Sequence, residues 1–113
     1  MADTFDNDPI KAAKLKAREE AKVEAERLRK EDSYRKDRLA AGSAARKIAK
    51  KEIVGKGLSD KDAAKYISDS AAAAKKDFVK DFKDRMKKMS NDAVAAAVKE
   101  VKDALKEDRK DNN

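Results

Sequence analysis

Clusters of acidic side chains are the first candidates for chemistry in this 113-residue chain. Asp77, Asp81 and Asp84 recur at steps of four and three, which places them on one face of a helix. Lysines and arginines interleave with them, and dinuclear carboxylate sites in helical bundles use His beside the acids. The chain has no His and no Cys, so the imidazole and thiol ligands of metals are missing. We therefore interpret these acids as a solvated, ion-paired face.

The same missing residue types weigh against catalysis. General acid–base and nucleophilic mechanisms would have to rely on carboxylates, Lys, Tyr and Ser alone. The phosphate-binding pattern Gly-x4-Gly-Lys-Ser/Thr does not occur. The sequence accordingly predicts that the protein is not an enzyme, with no catalytic residues, metal site, cofactor or small-molecule substrate.

A basic segment at 38–51 is the strongest binding signal. Residues 11–51 hold 15 bases against 7 acids in a chain of net charge +7, which indicates a polyanionic partner for this part of the chain. The bases of the acid-free segment are Arg38, Arg46, Lys47, Lys50 and Lys51.

Four interpretations of this segment stay open. It can contact nucleic-acid phosphates, an acidic protein surface or an anionic membrane, or it can be a solvated basic helix face. A membrane is the least favoured partner, because the apolar side is mostly Ala and lacks an aromatic anchor. Nucleic-acid contacts would be to the backbone, since only Tyr34 lies near enough to stack on a base.

Composition fits either disorder or long helices, and helices are favoured. Charged residues make up 47% of the chain and aromatic residues 4%, with three Gly and one Pro, and good helix formers dominate. We predict an all-α fold with a long charged N-terminal helix, a short basic helix and a C-terminal amphipathic helical hairpin. The acidic N-terminus does not read as a signal peptide, and no apolar run has the roughly 20 residues of a membrane span.

Local signals divide the chain into segments. Asp8 and Ser59 are predicted N-caps, Gly42–Ser43 is a candidate interruption, and Ser90 is predicted to begin the second helix of the hairpin. Whether the N-terminal helix runs through 42–43 is left open. The predicted segments are a flexible or partner-ordered tail at 1–8, a basic helical arm at 9–54, a linker at 55–58, the hairpin at 59–108 and a tail at 109–113.

A stripe of large apolar residues follows helical spacing in the C-terminal half. We interpret it as a helix-packing or partner interface, and two helices alone would leave part of it in water. A protein partner or self-association is therefore expected. The members of the stripe are Ile67, Phe78, Phe82, Met86, Met89, Val94, Val98, Val101 and Leu105.

The function that fits best is a non-enzymatic helical structural or adaptor protein, ordered within a larger assembly such as a phage particle or another nucleic-acid-containing complex. The alternative is an autonomous nucleic-acid-binding protein without sequence specificity that uses 38–51. A third hypothesis is a small helical inhibitor of another protein. We expect a cytoplasmic location, or packaging in a particle assembled there. The identity of the partner and the oligomeric state are left open.

Overall fold

The computed structural model describes residues 8–111, with side chains described through residue 109. It contains three helices, α1 (Pro9–Lys30), α2 (Asp32–Glu52) and α3 (Asp60–Asp111). Between residues 8 and 111 there is no strand, so the all-α prediction is confirmed. The predicted tail at 1–8 lies outside the described residues except for Asp8. The predicted tail at 109–113 is wrong as far as residue 111, because α3 runs to Asp111.

Two of the helices begin at the predicted N-caps. The Asp8 Oδ1 atom accepts hydrogen bonds from the backbone N–H groups of Ile10 at 3.0 Å and Lys11 at 3.2 Å. The Ser59 Oγ atom accepts one from the N–H of Asp62 at 3.2 Å. These bonds satisfy donors that have no partner inside the first turn of a helix.

The N-terminal arm is interrupted at Glu31 and not at 42–43. Glu31 has extended backbone angles, with φ −71° and ψ 150°, and it precedes the first residue of α2. Helix α2 then continues through Gly42 and Ser43, so the candidate interruption at 42–43 is wrong. Gly42 is buried within α2, and a Cβ at this position would meet the side chain of Lys75 on α3. This tertiary contact outweighs the low helix propensity of Gly.

The loop at 53–59 joins α2 to α3 and contains the predicted linker at 55–58. At its start the Ile53 N–H donates to the Ala49 carbonyl at 3.2 Å, and the Lys56 N–H donates to the Ile53 carbonyl at 3.1 Å. Gly55 has φ +78°, a left-handed conformation that residues with a Cβ adopt at a cost. The short loop makes α2 and α3 antiparallel neighbours.

The predicted hairpin within 59–108 is wrong, because α3 is one continuous helix of 52 residues. Ser90 lies inside it and caps nothing. The apolar positions Met86, Met89, Ala93 and Ala97 cross Ser90 at steps of three, four and four. Since this stripe keeps one face towards a packing partner, continuing the helix buries more than a turn at Ser90 would.

The described chain forms two compact units. The terminal unit pairs α1 through Arg27 with α3 from Arg85 onward, and the central unit comprises residues 28–84. Both units therefore consist of two packed helices, and α3 contributes to each. The loop at 53–59 lies within the central unit and connects its two helices.

Small residues form the buried positions of both units. In the terminal unit Ala17 and Ala21 are each 7% exposed. In the central unit Ala49 is 1% exposed and Ala71 is 2% exposed, and Gly42 is also buried. Among the side chains that the structure describes, no large hydrophobic residue is fully buried. Such small contact residues let helix axes approach closely but remove little apolar area from water.

Candidate polyanion-binding surface

The five basic residues singled out from the sequence all lie on α2 and are all exposed. They do not share one face, because a helix turns by about 100° per residue. Arg38, Arg46 and Lys50 fall at steps of eight and four, with Gly42 between the first two. These four positions form one ridge along α2. Lys47 and Lys51 each follow a ridge residue by one position, so they are rotated towards the side of α2 that faces away from α3.

Helix α3 brings two further lysines to this ridge. A Cβ placed on Gly42 would lie 2.6 Å from the Cε atom of Lys75 and 3.3 Å from its Cγ atom. The aliphatic part of Lys75 therefore crosses the ridge at its glycine. Arg38, Lys75 and Lys76 also line one open depression, whose remaining wall is formed by Ala72 and Val79. We call the set Arg38, Arg46, Lys50, Lys75 and Lys76 the basic edge.

Acidic residues of the central unit lie on the opposite edge. The Tyr66 hydroxyl donates a hydrogen bond to the Glu52 carboxylate, which marks the side of the helix pair away from the basic edge. On α3, Asp77 and Asp84 follow Tyr66 at 11 and 18 residues, which is helical spacing on the same face. The central unit is thus partly segregated by charge, with the basic edge on one side and Glu52, Asp77 and Asp84 on the other.

The helical rows of α3 show this segregation in the sequence itself. One row carries Lys61, Lys65, Lys76 and Lys83 with small or apolar residues at the intervening positions 68, 72 and 79. Asp77, Asp81 and Asp84 fall on the other side of the helix, whereas Asp69 lies beside this row, seven residues before Lys76. The lysines of α3 were missed because Lys and Asp alternate along the chain, which suggested local ion pairs. A helical projection of 60–84 would have separated Lys76 and Lys83 from Asp77, Asp81 and Asp84, although not from Asp69.

Two ionisable groups have perturbed pKa values for identifiable reasons. The hydrogen bond and negative charge of Glu52 raise the pKa of Tyr66 above its ordinary value, and a hydrogen bond with Ser70 opposes this shift. In the terminal unit, the hydrogen bond from Arg27 lowers the pKa of Glu24. Neither group belongs to the basic edge.

The residues of the predicted apolar stripe share a common level of exposure. All nine are half-buried, and none is as buried as the alanines at the contacts between the helices. Phe78 and Phe82 contact Tyr34, with ring centroids 5.4 Å and 4.7 Å apart. This contact holds the Tyr34 ring against α3, so the aromatic residue nearest the basic segment is engaged within the fold. Met89 lines a cleft of the terminal unit with the buried Ala17 and Ala21.

Within residues 8–109, no group of three or more acidic side chains is arranged to hold a metal ion. None of the described helices is long and apolar enough to cross a membrane. Comparisons of the chain with protein-family models, with curated proteins and with solved structures find no match.

Proposed function

We propose that this chain is a non-enzymatic helical structural or adaptor protein that is ordered within a larger assembly. The observation that carries the proposal is the composition of the contacts between the helices. The buried positions are Ala and Gly, while the nine large apolar residues of the stripe are only partly buried. A packed assembly would cover this remaining apolar area, and its burial would stabilise the helices.

Exposed apolar residues on the outer faces support the same proposal. Val23 is 66% exposed, Leu15 58% and Ile48 58%. Single exposed apolar residues are ordinary, but here the exposed side chains are larger than the buried ones. This reversal of the usual distribution is expected for a chain whose burial is completed by another surface, either a partner protein or a second copy.

Hydrogen exchange tests the proposal. In the isolated chain we expect the backbone amides near Ala17, Ala49 and Ala71 to exchange rapidly through local opening of the helices. Little apolar area is buried there to resist this opening. A concentrated sample, or one with a partner present, should protect the same amides. Strong protection of these amides in a dilute monomer would contradict the proposal, because the chain would then be stable without an assembly.

A second candidate function is contact with nucleic acid through backbone phosphates. The basic edge favours it, because five cations from two helices lie together while Glu52, Asp77 and Asp84 lie on the other side. Each phosphate contact would gain from the release of a counterion. A nucleic-acid-containing particle would combine both candidates, with the apolar faces meeting protein and the basic edge meeting the polyanion.

A further inference from the structure

We propose that the basic edge binds the phosphate backbone of double-stranded nucleic acid, with Lys75 and Lys76 of α3 contributing directly beside the cations of α2. The inference rests on the second candidate function above and goes beyond it in two respects. It assigns contact residues on a helix that the basic segment does not include, and it specifies a duplex.

The length of the edge matches several phosphates of a duplex. Arg38 and Lys50 are 12 residues apart on α2, which corresponds to roughly 18 Å at about 1.5 Å per residue. Double-stranded DNA carries one negative charge per about 1.7 Å of axis, so a segment of that length presents roughly ten phosphates. These phosphates are spread over both strands and all sides of the duplex, so roughly half of them face one side, a number that the five cations of the basic edge match.

The composition of the edge favours phosphates over an acidic protein. Lysine is depleted in protein–protein interfaces, and the residues that dominate their affinity are mainly Trp, Tyr and Arg set in desolvated pockets. Three of the five cations here are lysines, and Ala72 and Val79 form the wall of the depression that Arg38, Lys75 and Lys76 line. Such a surface offers charge but no deep pocket for a protruding side chain, which suits the regular backbone of a nucleic acid.

The width of the helix pair argues against reading of bases. A major groove is about 12 Å wide and admits one helix, whereas two packed helices have axes about 8–10 Å apart and are wider than that groove. Side chains from both helices must then contact the phosphate backbone outside the groove. Single strands are disfavoured as well, because their binding uses exposed aromatic platforms. The Tyr34 ring packs against Phe78 and Phe82, and Tyr66 lies on the acidic edge.

The test is fluorescence anisotropy with a labelled random duplex of about 25 base pairs, between 50 and 200 mM salt. Five phosphate contacts predict a slope of log affinity against log salt of about −4.5, which is roughly a 500-fold loss over this range. The double variant Lys75→Gln/Lys76→Gln should reduce the slope to about −2.7, since two contacts are removed. Glutamine keeps the length of the side chain and a good helix propensity.

A matched control separates contact from net charge. The variant Lys99→Gln/Lys102→Gln removes the same two charges from exposed positions of α3 in the terminal unit. It should leave the slope near −4.5. Equal slopes in the two variants would overturn the proposal, and so would a wild-type chain that does not bind duplex at 50 mM salt.

Two further probes identify the source of the phosphates. Single-stranded oligonucleotide and vesicles of phosphatidylserine with phosphatidylcholine are compared with the duplex at equal salt. Preferred binding to either one would contradict the duplex assignment. Because hydrogen exchange without nucleic acid tests the structural proposal separately, a failure of one proposal does not imply a failure of the other.

Discussion

The glycine at the centre of α2 allows a quantitative test of how the central unit is packed. Gly42 is buried, and the three atoms nearest to a Cβ at this position would all belong to the side chain of Lys75, at 2.6 Å for Cε, 3.3 Å for Cγ and 3.4 Å for Cδ. The nearest atom belongs to the flexible end of a half-buried side chain. Replacing Gly42 with Ala should therefore displace Lys75 and leave the two helices in place.

Two opposing terms decide the sign of this substitution. Alanine is more favourable than glycine inside a helix by about 0.8–1.0 kcal/mol. Moving the end of Lys75 loses a few carbon contacts worth about 0.1–0.2 kcal/mol each. We expect the Gly42→Ala variant to gain roughly 0.5 kcal/mol in free energy of unfolding. In a Lys75→Ala background the displacement cost disappears, so the same substitution should gain about 1 kcal/mol.

The double-mutant cycle is measured by urea unfolding followed by circular dichroism at 222 nm. A constant concentration of trimethylamine N-oxide strengthens burial and gives a complete transition. The expected coupling between Gly42 and Lys75 is about 0.5 kcal/mol, as for residues in contact. A loss of stability of more than about 1 kcal/mol in both backgrounds would refute the reasoning, because it would mean that backbone atoms of α3 fill the space.

Three other substitutions test separate contacts. Replacing Gly55 with Ala should cost about 1–2 kcal/mol in the same assay, because its φ of +78° disfavours a Cβ; an unchanged stability would show that the loop adopts another conformation. The Phe78→Leu variant loses the ring contact with Tyr34 and should be less stable by about 0.5–1.5 kcal/mol, and a neutral effect would contradict the contact. In a Tyr34→Phe background, Glu52→Gln should lower the pKa of Tyr66 towards its ordinary value, since it removes the main cause of the raised pKa; an absorbance titration that shows no decrease would exclude the hydrogen bond.

The sequence predicted the helical class and the starts of α1 and α3 correctly for local physical reasons. Good helix formers dominate the composition, and the caps at Asp8 and Ser59 depend on residues within one turn. Signals of this kind do not require knowledge of what packs against the helix.

The interruptions were predicted less well, because tertiary packing decides them. Gly42–Ser43 and Ser90 resemble helix ends locally, yet α2 and α3 continue through them. At Gly42 the side chain of Lys75 lies close to the α2 backbone. Ser90 lies within an apolar stripe that continues on both sides. Glu31, where the chain does break, carries no local turn signal, and the structure offers no physical account of that choice.

The sequence identified the part of the candidate surface that lies on α2 and missed the part on α3. The α2 cations were found because no acid interrupts them in the sequence, but two of them, Lys47 and Lys51, face away from the ridge. Lys75 and Lys76 were hidden by neighbouring Asp residues along the chain. Only the pairing of α2 with α3 shows that they join Arg38 around one depression.

Circular dichroism combined with sedimentation velocity on the isolated chain, without nucleic acid, tests the central claim most directly. If the chain is completed by an assembly, a dilute monomer should show low helix content, and helix should rise as the chain associates or meets its partner. A fully helical monomer with a cooperative thermal transition, unchanged over a hundredfold range of concentration, would contradict the claim.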